Sequence, residues 1–224
     1  MIVKNTQQNI IFNTKKSRIG IKVSGGADSA IVLYMLSKYV KESNTGAKIT
    51  PITVNHEGKD YQEQFSKQVV AHCKEVFGDI FHEHHIGRNY TPDTYASTQQ
   101  DLVESLYENN TIDCHYVGIT KNPPKYICES FDQPGPKDDR FTGEARQILD
   151  IRLRRSKRFL QDSIFRPLIN IDKKGVAELY NTFDVMDTLF PLTRSCEEMT
   201  NDFSKHCEVC WFCKERFWGF NRHV

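Results

Sequence analysis

Six residues, Ser24-Gly25-Gly26-Ala27-Asp28-Ser29, join an alternating apolar run to an apolar helix, and no other feature narrows the fold so far. Upstream, Ile19, Ile21 and Val23 alternate as the buried face of a strand does. Downstream, Ser29 opens a segment carrying Ile31, Val32, Leu33, Met35 and Leu36, which reads as a helix. A turn with two adjacent glycines at a helix N-terminus leaves backbone N–H groups pointing outward without acceptors. Glycine also permits positive φ, and without Cβ it lets an anion approach the main chain. The hydroxyls of Ser24 and Ser29 add donors, and Asp28 is a carboxylate suited to a Mg²⁺ ion bridging phosphate oxygens. The segment reads as a phosphate-binding loop. It lacks the Gly-x4-Gly-Lys-Ser/Thr spacing of the Walker loop.

The rest of the chain repeats the strand-then-helix rhythm. Strands are expected at Ile49–Val54, Ile80–Ile86, Cys114–Thr120 and Ile164–Ile169. Helices are expected where Tyr61, Phe65, Val69, Cys73 and Val76 recur every three or four residues, over Ser97–Asn109, and from Lys173 to Phe183. The fold class is therefore α/β, a parallel sheet of about five strands with helices on both faces. Ligands in such sheets bind beyond the carboxyl ends of the strands, where the Ser24 loop would lie. Val54 and Asn55, ending the second strand, are candidates for an adenine edge, with a plain strand terminus as the equal alternative. At 224 residues the chain suits one medium domain with a small appendage. The expected division is an extension over 1–17, a nucleotide-binding domain over 18–190 and a cysteine-rich region over 191–224.

The appendage carries the second constellation. Cys196, Cys207, Cys210 and Cys213 fall close together, the last three as C-x2-C-x2-C. Four thiolates at such spacing converge on one ion, and a closed tetrahedral Zn²⁺ site holds together a tail too short for its own core. An iron–sulfur cluster is the rival occupant. His206 could replace one thiolate but is not needed. Cys73, Cys114 and Cys128 are scattered, and core filling is their default reading.

Composition limits the remaining function classes. A net charge of +1 gives no global sign of nucleic-acid or membrane affinity. No apolar stretch approaches the roughly 18 residues of a membrane span, and 1–17 lacks the apolar core of a signal peptide, so a cytoplasmic chain is expected. One local exception is Arg152, Arg154, Arg155, Lys157 and Arg158, read first as a solvated helix face and second as a contact to a phosphate backbone. Lys121 to Thr142, with four prolines, reads as a substrate-covering loop.

The S-G-G-x-D-S string resembles the PP-loop of the N-type ATP pyrophosphatases. With the cysteine tail, the chain is similar to the 7-cyano-7-deazaguanine synthase family of the queuosine pathway. The likeness rests on Ser24 to Ser29, Ser195-Cys196, Cys207, Cys210, Cys213 and Arg216-Phe217-Trp218-Gly219-Phe220. Arg88-Asn89, Val117-Gly118-Ile119 and Phe165-Arg166-Pro167-Leu168 add to it. Val54-Asn55-His56-Glu57-Gly58 departs from the family's pattern, the first cysteine gap is longer, and only Asp138-Asp139-Arg140-Phe141 echoes its substrate loop. The resemblance implies an ATP-dependent carbon–nitrogen ligase using ATP, Mg²⁺ and Zn²⁺, in which a carboxylate is adenylated with release of pyrophosphate and coupled to ammonia or an amine. It implies Asp28 and Ser24 as catalytic residues, Gly25, Gly26 and Ser29 as further nucleotide contacts, and the four cysteines as zinc ligands. The partners implied are a small carboxylic acid and an amine donor, in a monomer or homodimer away from membranes. Two other readings stay open: a tRNA-modifying enzyme of the thiolation type, which would add nucleic acid, and a nucleotide-binding module without turnover.

Overall fold

The computed structural model describes residues 1–56, 61–89, 95–132, 163–197 and 204–224. A five-stranded parallel sheet is its centre, built from β3 (Arg18–Lys22), β4 (Lys48–His56), β5 (His85–Asn89), β6 (Cys114–Val117) and β7 (Ile164–Phe165) in the order β5-β4-β3-β6-β7. A short antiparallel hairpin, β1 (Ile2–Val3) with β2 (Ile10–Ile11), precedes it. The helices are α1 (Ala27–Ser43), α2 (Tyr61–Phe77), α3 (Tyr95–Glu108), α4 (Lys125–Ser130), α5 (Lys173–Thr182) and α6 (Trp211–Phe220).

Alternation in the strands decides which helix covers which face. Ile19 lies beside both Ile49 and Cys114, and Ile21 beside Tyr116, so these residues share one face. That face joins the main core with Ile31, Leu33, Met35 and Leu36 of α1, Val69 and Cys73 of α2, and Val176, Leu179 and Tyr180 of α5. Ile52 points the other way and packs with Val103 and Leu106 of α3 and with Ile112. α1 is apolar on nearly every side because the sheet, α2 and α5 all press on it. At about 25 cal/mol per Å² of apolar surface, such buried residues supply most of the drive to fold.

The order of strands positions the site. From β3 the chain moves outward to β4 and β5, then crosses back to β6 and β7 on the other side. The carboxyl ends of β3 and β6 therefore flank a topological switch point, where an open α/β sheet has a crevice. The Ser24 loop leaves β3 at this point, and Gly118 follows β6.

The structure adjusts several expected elements. The strand expected over Ile80–Ile86 starts only at His85; earlier, Phe81 makes one isolated bridge to Ile49. The last two strands are shorter than expected, ending at Val117 and Phe165, because the chain turns toward the crevice at Gly118 and into a turn after Arg166. The hairpin was not expected at all. It places Ile10 and Phe12 at zero exposure in the main core, and Phe12 stacks on Tyr116 at 5.6 Å. Two-residue strands carry too little periodicity to be read from sequence. Cys73 and Cys114 are buried core residues, as expected, and burial raises both thiol pKa values, that of Cys114 to about 11. No helix among the described residues is long and apolar enough to cross a membrane.

Between β4 and β5, Thr53 Oγ1 donates to Val23 O at 2.6 Å and lies 2.8 Å from His84 Nε2, which leaves the imidazole N–H as the donor to the hydroxyl. Burial first, then the nearby Lys74 and Lys67 charges, pushes the His84 pKa down to about 4. A depressed histidine contributes stability that is complete above its unfolded value of about 6.5 and lost as pH falls toward 4. Denaturant unfolding of wild type should lose stability through that window, and His84→Gln should lose less; equal pH slopes for the two proteins would refute this assignment.

Candidate functional site

A cavity of about 240 Å³ occupies the crevice at the switch point. Ser24, Gly26, Ala27, Asp28 and Ser29 form one wall, and Gly118, Thr120 and Asn122 after β6 form another. Tyr61 and Gln62 enter from the start of α2, Lys173 from the start of α5, and Arg194, Ser195, Glu197, Trp211, Phe212 and Glu215 from the C-terminal region. Loop and cysteine tail thus face each other across one space.

The loop is shaped by its own hydroxyls. Ser29 Oγ accepts from Ser24 N at 3.2 Å and donates to Gly26 O at 3.1 Å, while Ser24 Oγ accepts from Gly26 N at 3.4 Å. Gly26 is the N-cap of α1, and no side chain caps it. The first N–H groups of a helix have no acceptor within the helix, so this end presents donors and a positive dipole to the cavity. Gly118 is what lets β6 come so close: a Cβ there would lie 2.7 Å from Ser29 N and Cα.

Gly25 has a packing role against α2. It adopts φ +79°, and a Cβ would lie 2.7 Å from Phe65 Cβ and 2.9 Å from Ser66 N of α2. It does not line the cavity. The missing side chain makes room for α2, and the Gly25 carbonyl accepts from Arg194 N at 2.9 Å, tying loop to tail. Val54 and Asn55 also lie off the cavity, buried in β4 opposite Gly87 and Arg88. Asp28, Ser24, Gly26 and Ser29 are brought together.

Asp28 is tied into the interior more tightly than a turn carboxylate should be. Its Oδ2 accepts from Lys173 Nζ at 2.5 Å and from Thr120 Oγ1 at 3.3 Å. Its Oδ1 is buried with no hydrogen-bond partner among the described residues. Lys173 is also 3.6 Å from Glu215 Oε2. Burial is the largest influence on Lys173 and lowers its pKa, but the charges of Asp28 and Glu215 and the Asp28 hydrogen bond together outweigh it and hold it above the ordinary value. A raised lysine contributes stability that is complete below about pH 10 and lost as pH rises through the folded value. Lys173 and Glu215 were missed in the sequence, since a lysine pair opening a helix and a glutamate inside an aromatic one carry no motif.

The tail is held by a buried guanidinium. Arg216 has zero exposure and donates to His223 O (2.7 Å), Ser195 Oγ (3.0 Å) and Phe190 O (3.2 Å), with its guanidinium carbon 3.8 Å from the Phe190 ring centroid. Burial lowers its pKa to about 10, so it remains charged at neutral pH. The sulfurs of Cys196, Cys207, Cys210 and Cys213 all lie within 4.8 Å of one another, so the four could hold a metal. Crowded thiols oppose a second thiolate beside the first: hydrogen bonding, first with Cys196, raises Cys213 strongly and Cys210 to about 12. A bound cation reverses that preference. His206 stays outside the set, its Nε2 accepting from Ser195 N at 3.3 Å. The expected contacts of Asp138–Phe141 and of the basic run Arg152–Arg158 lie outside the described residues.

Two substitutions separate packing from chemistry. Gly25→Ala should cost about 2 kcal/mol of stability, from positive φ and the clash with α2. Asp28→Ala should cost roughly 2–4 kcal/mol by removing the closest partner of a buried ammonium, and Asp28→Asn less because an acceptor remains. Chemical denaturation reads both, and a fully stable Asp28→Ala would refute the pairing.

Among curated proteins, the tRNA(Ile)-lysidine synthase of Rickettsia africae (strain ESF-5) is 28% identical over 106 residues, which are 47% of this chain and 21% of that protein. The chain therefore spans about a fifth of the curated relative it matches. Of solved structures, the U34-tRNA thiolase NcsA from Methanococcus maripaludis with its 4Fe-4S cluster superposes with a TM-score of 0.49 at 14% identity, covering 75% of this chain and 57% of its own. NMN synthetase from Francisella tularensis gives a TM-score of 0.44 at 15% identity, covering 91% and 77%. The family model of the PP-loop domain matches residues 1–104, the segment that delivers the Ser24–Ser29 loop to the cavity.

Proposed function

We propose that the chain is an ATP-dependent carbon–nitrogen ligase that cleaves ATP to AMP and pyrophosphate and so adenylates a carboxylate, as the 7-cyano-7-deazaguanine synthase resemblance implies. The observation that carries this reading is the uncapped start of α1, open to the cavity between hydroxyl-bearing Ser24 and Ser29 and beside Asp28. Loop N–H groups and the two hydroxyls donate to phosphate oxygens, stabilising charge as pyrophosphate departs. The unpartnered Asp28 Oδ1 suits Mg²⁺, which would neutralise charge on the phosphates. At about 240 Å³ the cavity is below the roughly 300–1,000 Å³ of a site enclosing a drug-sized ligand, so it suits the phosphates and the reacting group, with the nucleoside toward its mouth.

The fold aligns an acid's carboxylate oxygen with the α phosphorus; bond formation there expels pyrophosphate and leaves an acyl adenylate. Ammonia then displaces AMP to give an amide, and a second activation of the amide oxygen, followed by loss of AMP and protons, gives a nitrile. No side-chain nucleophile is required. We assign 18–190 to this chemistry and 191–224 to a zinc-bound tail. In support, Cys207 and Cys213 sulfurs stand 3.8 Å apart, the edge of a tetrahedron with Zn–S bonds of about 2.3 Å. A 4Fe-4S cluster puts each thiolate on its own iron and holds the sulfurs further apart.

A second reading, adenylation of a tRNA base, is favoured by one observation: the curated relative, similar over 106 residues, is named for tRNA. Incubation with ATP, Mg²⁺ and ammonium, against a panel of small carboxylic acids and separately against a tRNA pool, distinguishes the two by which addition stimulates pyrophosphate release. ADP and phosphate as products would overturn both. Asp28→Asn should lower turnover about a hundredfold or more through lost phosphate alignment. Purified protein should be colourless with one zinc per chain, and Cys207→Ala should lose the metal and thermal stability; a brown, iron-containing protein would overturn the zinc assignment.

A further inference from the structure

Lys173 is a deeply held charge at the cavity. Its side chain is 7% exposed, yet it lines the space, between Asp28 Oδ2 at 2.5 Å and Glu215 Oε2 at 3.6 Å. Asp28 comes from the loop, Lys173 from the first turn of α5, and Glu215 from α6 in the metal-binding tail. The trio carries two carboxylates and one ammonium, so it is short of one positive charge. The unsatisfied atom is Asp28 Oδ1, which is buried beside the loop. Lys173 and Arg194 are the two cationic side chains among the described residues that line the cavity. Arg194 is committed to the tail, donating to Lys205 O at 2.9 Å and lying 5.0 Å over the Tyr61 ring.

Polyanionic phosphates cannot enter this space without more positive charge facing them. A divalent cation at Asp28 supplies part and competes with Lys173 for the same carboxylate. A lysine on a flexible stem can then turn its ammonium while its backbone stays fixed. The backbone here is fixed: Asp172 caps α5 by accepting from Lys174 N and Gly175 N, and the Asp172 side chain also accepts from Gln7 Nε2 of the N-terminal segment. Glu215 keeps the ammonium inside the cavity when Asp28 lets go, because a carboxylate on the far side stops it being stranded.

We propose that Lys173 is a phosphate-contacting catalytic residue, released from Asp28 to the nucleotide when a divalent cation takes Asp28, and that Glu215 is the positioning residue that makes the exchange possible. The inference deepens the adenylation reading and rests on it. It also gives the tail a part in the ATP site: α6 carries both the ligand Cys213 and Glu215, two residues apart.

The test is calorimetric binding of an ATP analogue with a methylene bridge between the α and β phosphorus, in the presence of Mg²⁺, to the full zinc-loaded chain. Wild type must bind; if it does not, the adenylation reading falls and this inference with it. Lys173→Met removes the ammonium shared by two carboxylates and is read only if it folds. Lys173→Met/Glu215→Gln removes one of those charges and is the working variant. With circular dichroism and thermal melting showing a folded chain, the double variant should bind the analogue roughly ten- to hundredfold more weakly, the loss expected for one charge-assisted contact. Glu215→Gln alone should raise the Mg²⁺ concentration needed for half-maximal binding while affinity at saturating Mg²⁺ stays close to wild type, a split that mere loss of stability does not produce. A folded double variant binding within about twofold of wild type would overturn the proposal, since that is below the effect of one such contact. So would a crystal structure of the wild-type analogue complex with Nζ still on Asp28 and out of reach of every phosphate oxygen, a result that depends on no variant.

Discussion

A buried ammonium cannot stand alone, and in this chain the requirement to pair Lys173 fixes the relation of three distant segments. Its partners Asp28 and Glu215 are 145 positions before it and 42 after it, by the numbering of the chain (173 − 28 and 215 − 173). Removing one partner of a buried pair costs several kcal/mol, because the remaining charge loses its compensation. The loop, the start of α5 and the tail helix therefore hold their arrangement together or lose it together. The same side-chain set that braces the fold also lines the cavity, so the stability of the fold and the charge of the cavity draw on one group of side chains.

The neighbouring contacts reinforce this geometry from three directions. Arg194 N–H holds the Gly25 carbonyl, Tyr180 Oη donates to Ala27 O at 2.9 Å, and Gly118 allows β6 to press on the first turn of α1. Each of these contacts is with backbone. None uses the N–H groups at the start of α1, which leaves those donors for a ligand. A side-chain cap there would have stabilised the helix by about 1 kcal/mol at the expense of the anion site.

Much of this was legible in the sequence because it is periodic or local. Ile19, Ile21 and Val23 announce a strand, the paired glycines announce the turn, and the cysteine spacing announces convergence on one centre. What escaped is non-local. Val54 and Asn55 lie near the end of a strand as expected, yet both are buried in β4 and neither lines the cavity, since the chain beyond β3 moves toward β5 and the cavity wall comes from β6. Gly25 looks like Gly26 in sequence, but only tertiary packing says that one faces α2 and the other the cavity. Lys173, Glu215 and Arg216 sit in segments where apolar and aromatic neighbours promise core, and each is a charge whose burial makes sense only with partners brought from elsewhere in the chain.

Arg216 shows how the tail can be short and still rigid. Its guanidinium spends three donors on Phe190 O, Ser195 Oγ and His223 O, and its face on the Phe190 ring, so one side chain joins the end of the sheet domain, the residue before Cys196 and the last residues of the chain. A lysine could not replace it, since a point charge does not supply a planar fork and a stacking face together. With Cys196 fixed beside this clamp and Cys213 on the same helix as Arg216 itself, two of the four thiols are positioned by the protein interior. Only Cys207 and Cys210 then need to be drawn in, which lowers the conformational entropy that binding a metal must overcome. The fold thus prepares four thiols that could hold a metal, and an ion bound there would in turn secure the helix that brings Glu215 to Lys173.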